Sequence, residues 1–277
     1  MNQTKQLTKK RLWSDVGLLI SIPVILAALH FLTPDAIYAN LWFYYNDPSI
    51  MSAWTAAYAH GSNGHLFYNL GSYTITIGIA YWLLTFFADA RRVFWISFVS
   101  LLLLAPFITT AVDYGILYQY YELFPSNADS KGFSGIIGGF AGMTLGGIGL
   151  YVARRYGFWP ALHTVIGIVL AAVGFLSVFH GTISAQTEVL LIFGLTVISA
   201  MYISIDDVRS WNQIKRTTEE YNDPIVVIVG FGIMVCAFVY ALIPIDVIQS
   251  GSFVNVFAHG TGFVFGTLLT GIAAMIE

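Results

Sequence analysis

The run GFSGIIGGFAGMTLGGIGLYVA, residues 132–153, decides the reading of this chain. It carries no charged side chain and closes on Arg154 and Arg155. A membrane-spanning helix needs about 20 mainly apolar residues, and this run has that length. Gly135 and Gly139, then Gly138, Gly142 and Gly146, set small residues at four-residue intervals along it. Such spacing lets two helix backbones approach closely in lipid. The segment therefore reads as a spanning helix built to pack tightly against another.

The rest of the chain agrees with it. The protein has 277 residues, of which 57% are hydrophobic and only 10% charged, with a mean hydropathy of +0.74. A soluble domain carries about 25% charged residues, so this composition excludes one. The single cysteine, Cys236, rules out an internal disulfide and a multi-cysteine zinc site. A net charge of -3 gives no basic field for nucleic acid. Charged residues divide the chain into long charge-free intervals, which predict eight helices near 16–33, 65–87, 93–112, 133–152, 159–179, 189–205, 225–243 and 254–275. Continuous apolar runs, without strand-like alternation, argue against a closed barrel. The expected fold class is an all-α polytopic membrane protein.

Basic residues give an independent test of that topology. Lys5, Lys9, Lys10, Arg11, Arg91, Arg92, Arg154, Arg155, Arg209, Lys215 and Arg216 all fall on one side if eight spans alternate, and only Lys131 lies opposite. Both termini are then expected in the cytoplasm, with residues 1–15 a short cytoplasmic segment and 16–277 a single transmembrane domain. The first helix reads as an uncleaved span rather than a signal peptide, because its apolar stretch is long and no small-residue cleavage site follows. Loops 34–64 and 113–131 are expected on the outer side.

Polar groups at membrane depth are costly and often functional. Three clusters fall near the outer ends of helices. The first is His60-Gly-Ser-Asn-Gly-His65-Leu-Phe-Tyr-Asn69, in which His65 and Asn69, four apart, share one helical face. The second is Gly132-Phe-Ser134-Gly135, and the third Ala258-His259-Gly-Thr-Gly262-Phe-Val-Phe-Gly266. Topology puts Ser134 and His259 at comparable depth. A serine needs a base to act as a nucleophile, and a neutral histidine supplies one. Acyl transfer also needs donors aimed at the developing oxyanion, which His65, Asn69 and the Ser134 backbone N–H offer. Each piece alone also fits plain helix packing; their shared side and depth point to catalysis.

These motifs resemble those of the rhomboid intramembrane serine proteases, over the stretch from about Trp54 to the C-terminus. The resemblance implies a six-helix core plus two additional helices, with Ser134 as nucleophile and His259 as general base. It implies His65 and Asn69 as oxyanion donors and His60 as support for the loop. It further implies cleavage of the transmembrane segments of other membrane proteins, without metal or cofactor, in contact with membrane lipids and in the cell membrane. A catalytically silent rhomboid-like factor that binds membrane proteins is the alternative. Two features depart from the family: Trp54 is followed by Thr55 where a Trp-Arg pair is common, and Gly138 stands where some members stack an aromatic on the base. The 125 positions between Ser134 and His259 leave room for two extra helices. The hairpin 159–205 is the expected insertion, with helix 225–243 belonging to the core.

Overall fold

The computed structural model describes residues 8–125, 127–179, 181, 194, 224, 226–243, 248–249, 252–253 and 255–277. Among them, six helices are long and apolar enough to cross a membrane, and the chain is an all-α polytopic membrane protein. Helix α1, Lys9–Leu32, starts at Thr8, whose hydroxyl accepts from the Arg11 N–H, and ends before Pro34. A short α2, Asp35–Tyr38, and α3, Ile50–Thr55, follow in the loop. Helix α4, Asn63–Trp82, is capped by Ser62 and runs on through a wide π turn at Leu83–Phe87. Helix α5, Arg91–Val112, also continues as a π segment, Asp113–Tyr120.

The remaining elements complete the bundle. Helix α6 is Ser134–Tyr156, stopped by Gly157, whose φ of 91° suits a residue without a β-carbon. Helix α7 is Phe158–Phe179 and α8 is Gly232–Leu242, preceded by a π turn at Val226–Phe231. Helix α9 is Val256–Ile276. Two small antiparallel ladders lie in the loops: β1, Phe43–Tyr44, with β2, Asp129–Ser130, and β3, Ile248–Gln249, with β4, Ser252–Phe253.

Helix α6 is the axis of the molecule. Its apolar window is 83% buried, against 17% for α1, and it touches α4, α5, α7, α8 and α9. The α6–α9 contact is the most extensive, and glycines make it. A β-carbon on Gly142 would overlap the Phe263 carbonyl oxygen, and one on Gly262 or Gly266 would overlap the carbonyls of Gly135 or Gly139. The Thr267 hydroxyl adds an interhelical hydrogen bond to the Gly142 carbonyl at 3.1 Å. The two helices run parallel, with Ser134 and His259 at one end and Arg154 and Glu277 at the other.

Most basic residues of the described helices gather at that second end. Arg91 bonds the buried Asp15 carboxylate at 2.5 and 2.7 Å, and the Tyr81 hydroxyl donates to it at 2.6 Å. Arg154 donates to the Ala88 and Asp89 carbonyls, at 2.7 and 3.1 Å, and pairs with Glu277. These bonds tie α1 to α5, and α6 to the end of α4 and to the C-terminal residue.

Six of the eight expected spans coincide with helices long and apolar enough to cross a membrane, 225–243 coincides with a shorter helical segment, and the expected helix 189–205 lies, apart from Gly194, outside the described residues. Two boundaries differ. Expected as loop from residue 113, the chain instead stays helical to Tyr120, because Asp113 is buried and paired rather than facing water. Within 225–243, the apolar helix Val227–Leu242 is shorter than a full span. At the Ser134 end, α8 lies against both α4 and α9: the Tyr68 hydroxyl donates to the Ala241 carbonyl at 3.3 Å, and the Leu242 carbonyl meets His259. Helix α7 packs on α6 and α8 instead.

Candidate active site

Ser134 opens α6, and the chain leading to it is held firmly. The β1–β2 ladder fixes Asp129 and Ser130, and the Gly132 N–H donates to the Ala56 carbonyl at 2.9 Å. Phe133 is fully buried, with its ring 5.8 Å from those of Tyr58 and Tyr73. Gly132 has a φ of 128°, and a β-carbon there would meet the His65 ring at 2.7 Å and lie 3.8 Å from Asn69 Nδ2. Glycine is thus required at this step, and the side chains of His65 and Asn69 converge on the backbone two residues before Ser134.

His259 is buried in the first turn of α9. Its backbone presses on α6, where a β-carbon at Gly138 would come within 2.5 Å of the His259 carbonyl oxygen. An aromatic at 138 has no room, which accounts for the glycine there. Helical side chains lean toward the N-terminus, so the His259 ring is carried from the level of Gly138 toward that of Ser134. Its Nδ1 faces the Leu242 carbonyl. A carbonyl only accepts, so Nδ1 holds the proton and Nε2 keeps its lone pair in the neutral ring. That is the tautomer a general base requires. Among the described residues, no hydrogen bond joins the Ser134 hydroxyl to His259.

Asn69 is completely enclosed, and neither its amide nitrogen nor its oxygen has a hydrogen-bond partner. Buried polar groups are normally satisfied, so an idle amide beside Gly132 is a donor ready for a ligand. His65 stands in the first turn of α4, where its backbone N–H donates to the Ser62 hydroxyl at 3.2 Å. Lys131 sits 3.6 Å above the Trp42 ring and pairs with Asp129.

His60 is 1% exposed, its ring edge-on to that of His65 at 5.2 Å. Its own N–H donates to the Tyr38 hydroxyl at 2.7 Å. Burial, then the neighbouring His65 and His30, push its pKa down to about 3, so the ring is neutral. His30, whose place in the apolar run of the first helix reads as that of a packing or interfacial residue, belongs to the same network. Its Nε2 lies 2.8 Å from Asn63 Oδ1 and its Nδ1 3.0 Å from the Tyr38 hydroxyl. The signal available in the sequence was an imidazole in an otherwise apolar run, one helix away from His60. Trp54 makes an internal bond, its indole N–H donating to the Leu103 carbonyl at 3.1 Å.

A cavity of about 330 Å³ adjoins His259, walled by Val169 and Val173 of α7, Val239 and Leu242 of α8, and Phe263 and Val264 of α9. Its lining is apolar apart from His259 and Thr267. The arrangement thus combines a hydroxyl, a neutral imidazole with a free lone pair, an unspent amide and a hydrophobic space beside the imidazole. No protein-family model, no curated protein and no solved structure matches this chain.

Proposed function

We propose that the protein is an intramembrane serine endopeptidase of the rhomboid type, cutting peptide bonds in or near the transmembrane segments of other membrane proteins. The observation that carries this reading is the α6–α9 contact at Gly138, which sets His259, in its base-competent tautomer, beside the helix that Ser134 opens. In the proposed reaction, Ser134 Oγ attacks the scissile carbonyl as His259 Nε2 takes its proton. The oxyanion accepts from the Ser134 N–H, Asn69 Nδ2 and His65. His259 then protonates the leaving amine, and a water, deprotonated by the same ring, releases the acyl group from Ser134. His60 supports the loop that carries His65.

The rest of the family reading follows as part of the same proposal. The six-helix core would be α1, α4, α5, α6, the segment ending in α8, and α9, with 159–205 the added hairpin. The position of α8 between α4 and α9 supports that division. Basic residues at the end opposite Ser134 support cytoplasmic termini in a cell membrane.

One observation favours a second reading, a rhomboid-like factor that binds membrane proteins without cutting them: the Ser134 hydroxyl and His259 are not hydrogen-bonded. A serine-reactive fluorophosphonate separates the two. The wild type should be labelled and should cleave a membrane-embedded reporter, whereas Ser134→Ala and His259→Ala should do neither. Labelling that is equal in wild type and Ser134→Ala would sink the nucleophile assignment.

A further inference from the structure

We propose that Asp113 is a positioning residue for the base: it holds Asn255, and through Asn255 the first turn of α9, so that His259 keeps its height and rotation beside Ser134. This rests on the endopeptidase reading. Asp113 is 2% exposed and sits at the junction where α5 widens into its π segment. Such widenings inside helices often fall at functional sites. A carboxylate inside a membrane bundle is expensive, and Asn255 is its partner. The Asn255 side-chain NH₂ donates to Asp113 Oδ2.

Two further atoms of Asn255 hold the first turn of α9. Its Oδ1 accepts from the Ala258 N–H at 3.0 Å, and its carbonyl accepts from the His259 N–H at 3.3 Å. The His259 ring is held separately, from α8, by the Leu242 carbonyl. The base is thus fixed at two points, its backbone through α5 and its imidazole through α8. Capping alone does not require Asp113, because the Asn255 oxygen makes that bond unaided. Nor does packing favour an acid here: Asp113 Oδ1 is enclosed without a partner, and an apolar side chain of similar size would avoid that cost. The carboxylate is explained by what it grips.

The test exchanges the two partners in the full-length protein, reconstituted with a reporter transmembrane substrate. Asn255→Asp keeps a strong helix-capping oxygen but sets two carboxylates against each other. It should lower kcat and the rate of fluorophosphonate labelling by about 10- to 100-fold, with KM held within about twofold, as small displacements of catalytic groups do. The exchange Asp113→Asn/Asn255→Asp restores an acid–amide pair with its polarity reversed, and should recover most of both rates. Wild-type kcat in Asn255→Asp would mean that Asn255 only caps the helix, and would overturn the proposal. So would an exchange variant no faster than Asn255→Asp. If Asn255→Asp does not fold, recovery of folded, active protein on adding Asp113→Asn supports the pairing, and failure to recover refutes it. A wild type that neither labels nor cleaves removes the protease reading itself, an outcome distinct from a failed exchange.

Discussion

Asn69 is the residue whose state most needs a purpose. An enclosed amide without partners costs about 1–3 kcal/mol relative to a satisfied one, and here both ends are idle. As an oxyanion donor it would recover that cost only in the transition state. Asn69→Ala should therefore lower kcat by about 100- to 1,000-fold, leave KM nearly unchanged and not reduce the thermal unfolding temperature. His65→Ala/Asn69→Ala should be slower than either single variant; a folded double variant with wild-type turnover would remove both from the mechanism. Residues of this kind are legible in sequence because their spacing is local: His65 and Asn69, four apart on α4, share a face and converge on Gly132. Asp113 was not legible. A charge ends an apolar run on paper, and its partner Asn255 stands 142 positions away. His30 was missed for the same reason, since Tyr38 and Asn63 meet it only through the fold.

At the scale of elements, the decisive contact is that of α6 with α9. The four-residue glycine spacing predicts close approach, and the structure shows how close: β-carbons at Gly142, Gly262 and Gly266 would run into backbone carbonyls, which cannot swing aside. Gly142→Ala should then cost about 1–3 kcal/mol or more through overpacking and reduce cleavage as the helices part. Gly71, on an exposed face of α4, has open space around it. Gly71→Ala should be neutral or stabilise by about 0.5–1 kcal/mol, as expected for glycine in a helix. Thermal unfolding in detergent, run on both variants, checks the contrast; equal effects would mean that the glycine contact carries no special weight. Helix positions were readable from charge spacing because lipid excludes charge. The continuation of α5 to Tyr120 and the shortness of α8 were not, since both depend on burial within protein rather than on length.

For the whole molecule, a polar clamp closes the end opposite Ser134. Asp15 is 1% exposed, and its carboxylate depends on Arg91 and Tyr81. Arg91→Ala strands that charge, and removing one partner of a buried pair is strongly destabilising; because Arg91 is itself 37% exposed, the loss should be smaller than for a fully buried pair. Asp15→Leu/Arg91→Ala removes the stranded acid and should recover most of the unfolding temperature. A double variant no more stable than Arg91→Ala would show that the arginine matters for something other than this pairing. Basic residues marked this end from sequence alone, but nothing in their spacing disclosed which of them would be bound to an acid.

The burial of α6 also has a consequence in time. A chain is made from its N-terminus onward, so the glycine groove of α6 reaches the bilayer well before α9, whose His259 follows Ser134 by 125 positions. Helix α6 is also less hydrophobic than α7, which comes directly after it. Until α9 arrives, the groove lies open to lipid or to any other helix with a small-residue stripe. On the proposed reading, the nascent protein therefore carries a nucleophile with no base, and it stays inert toward its neighbours until α9 is in place.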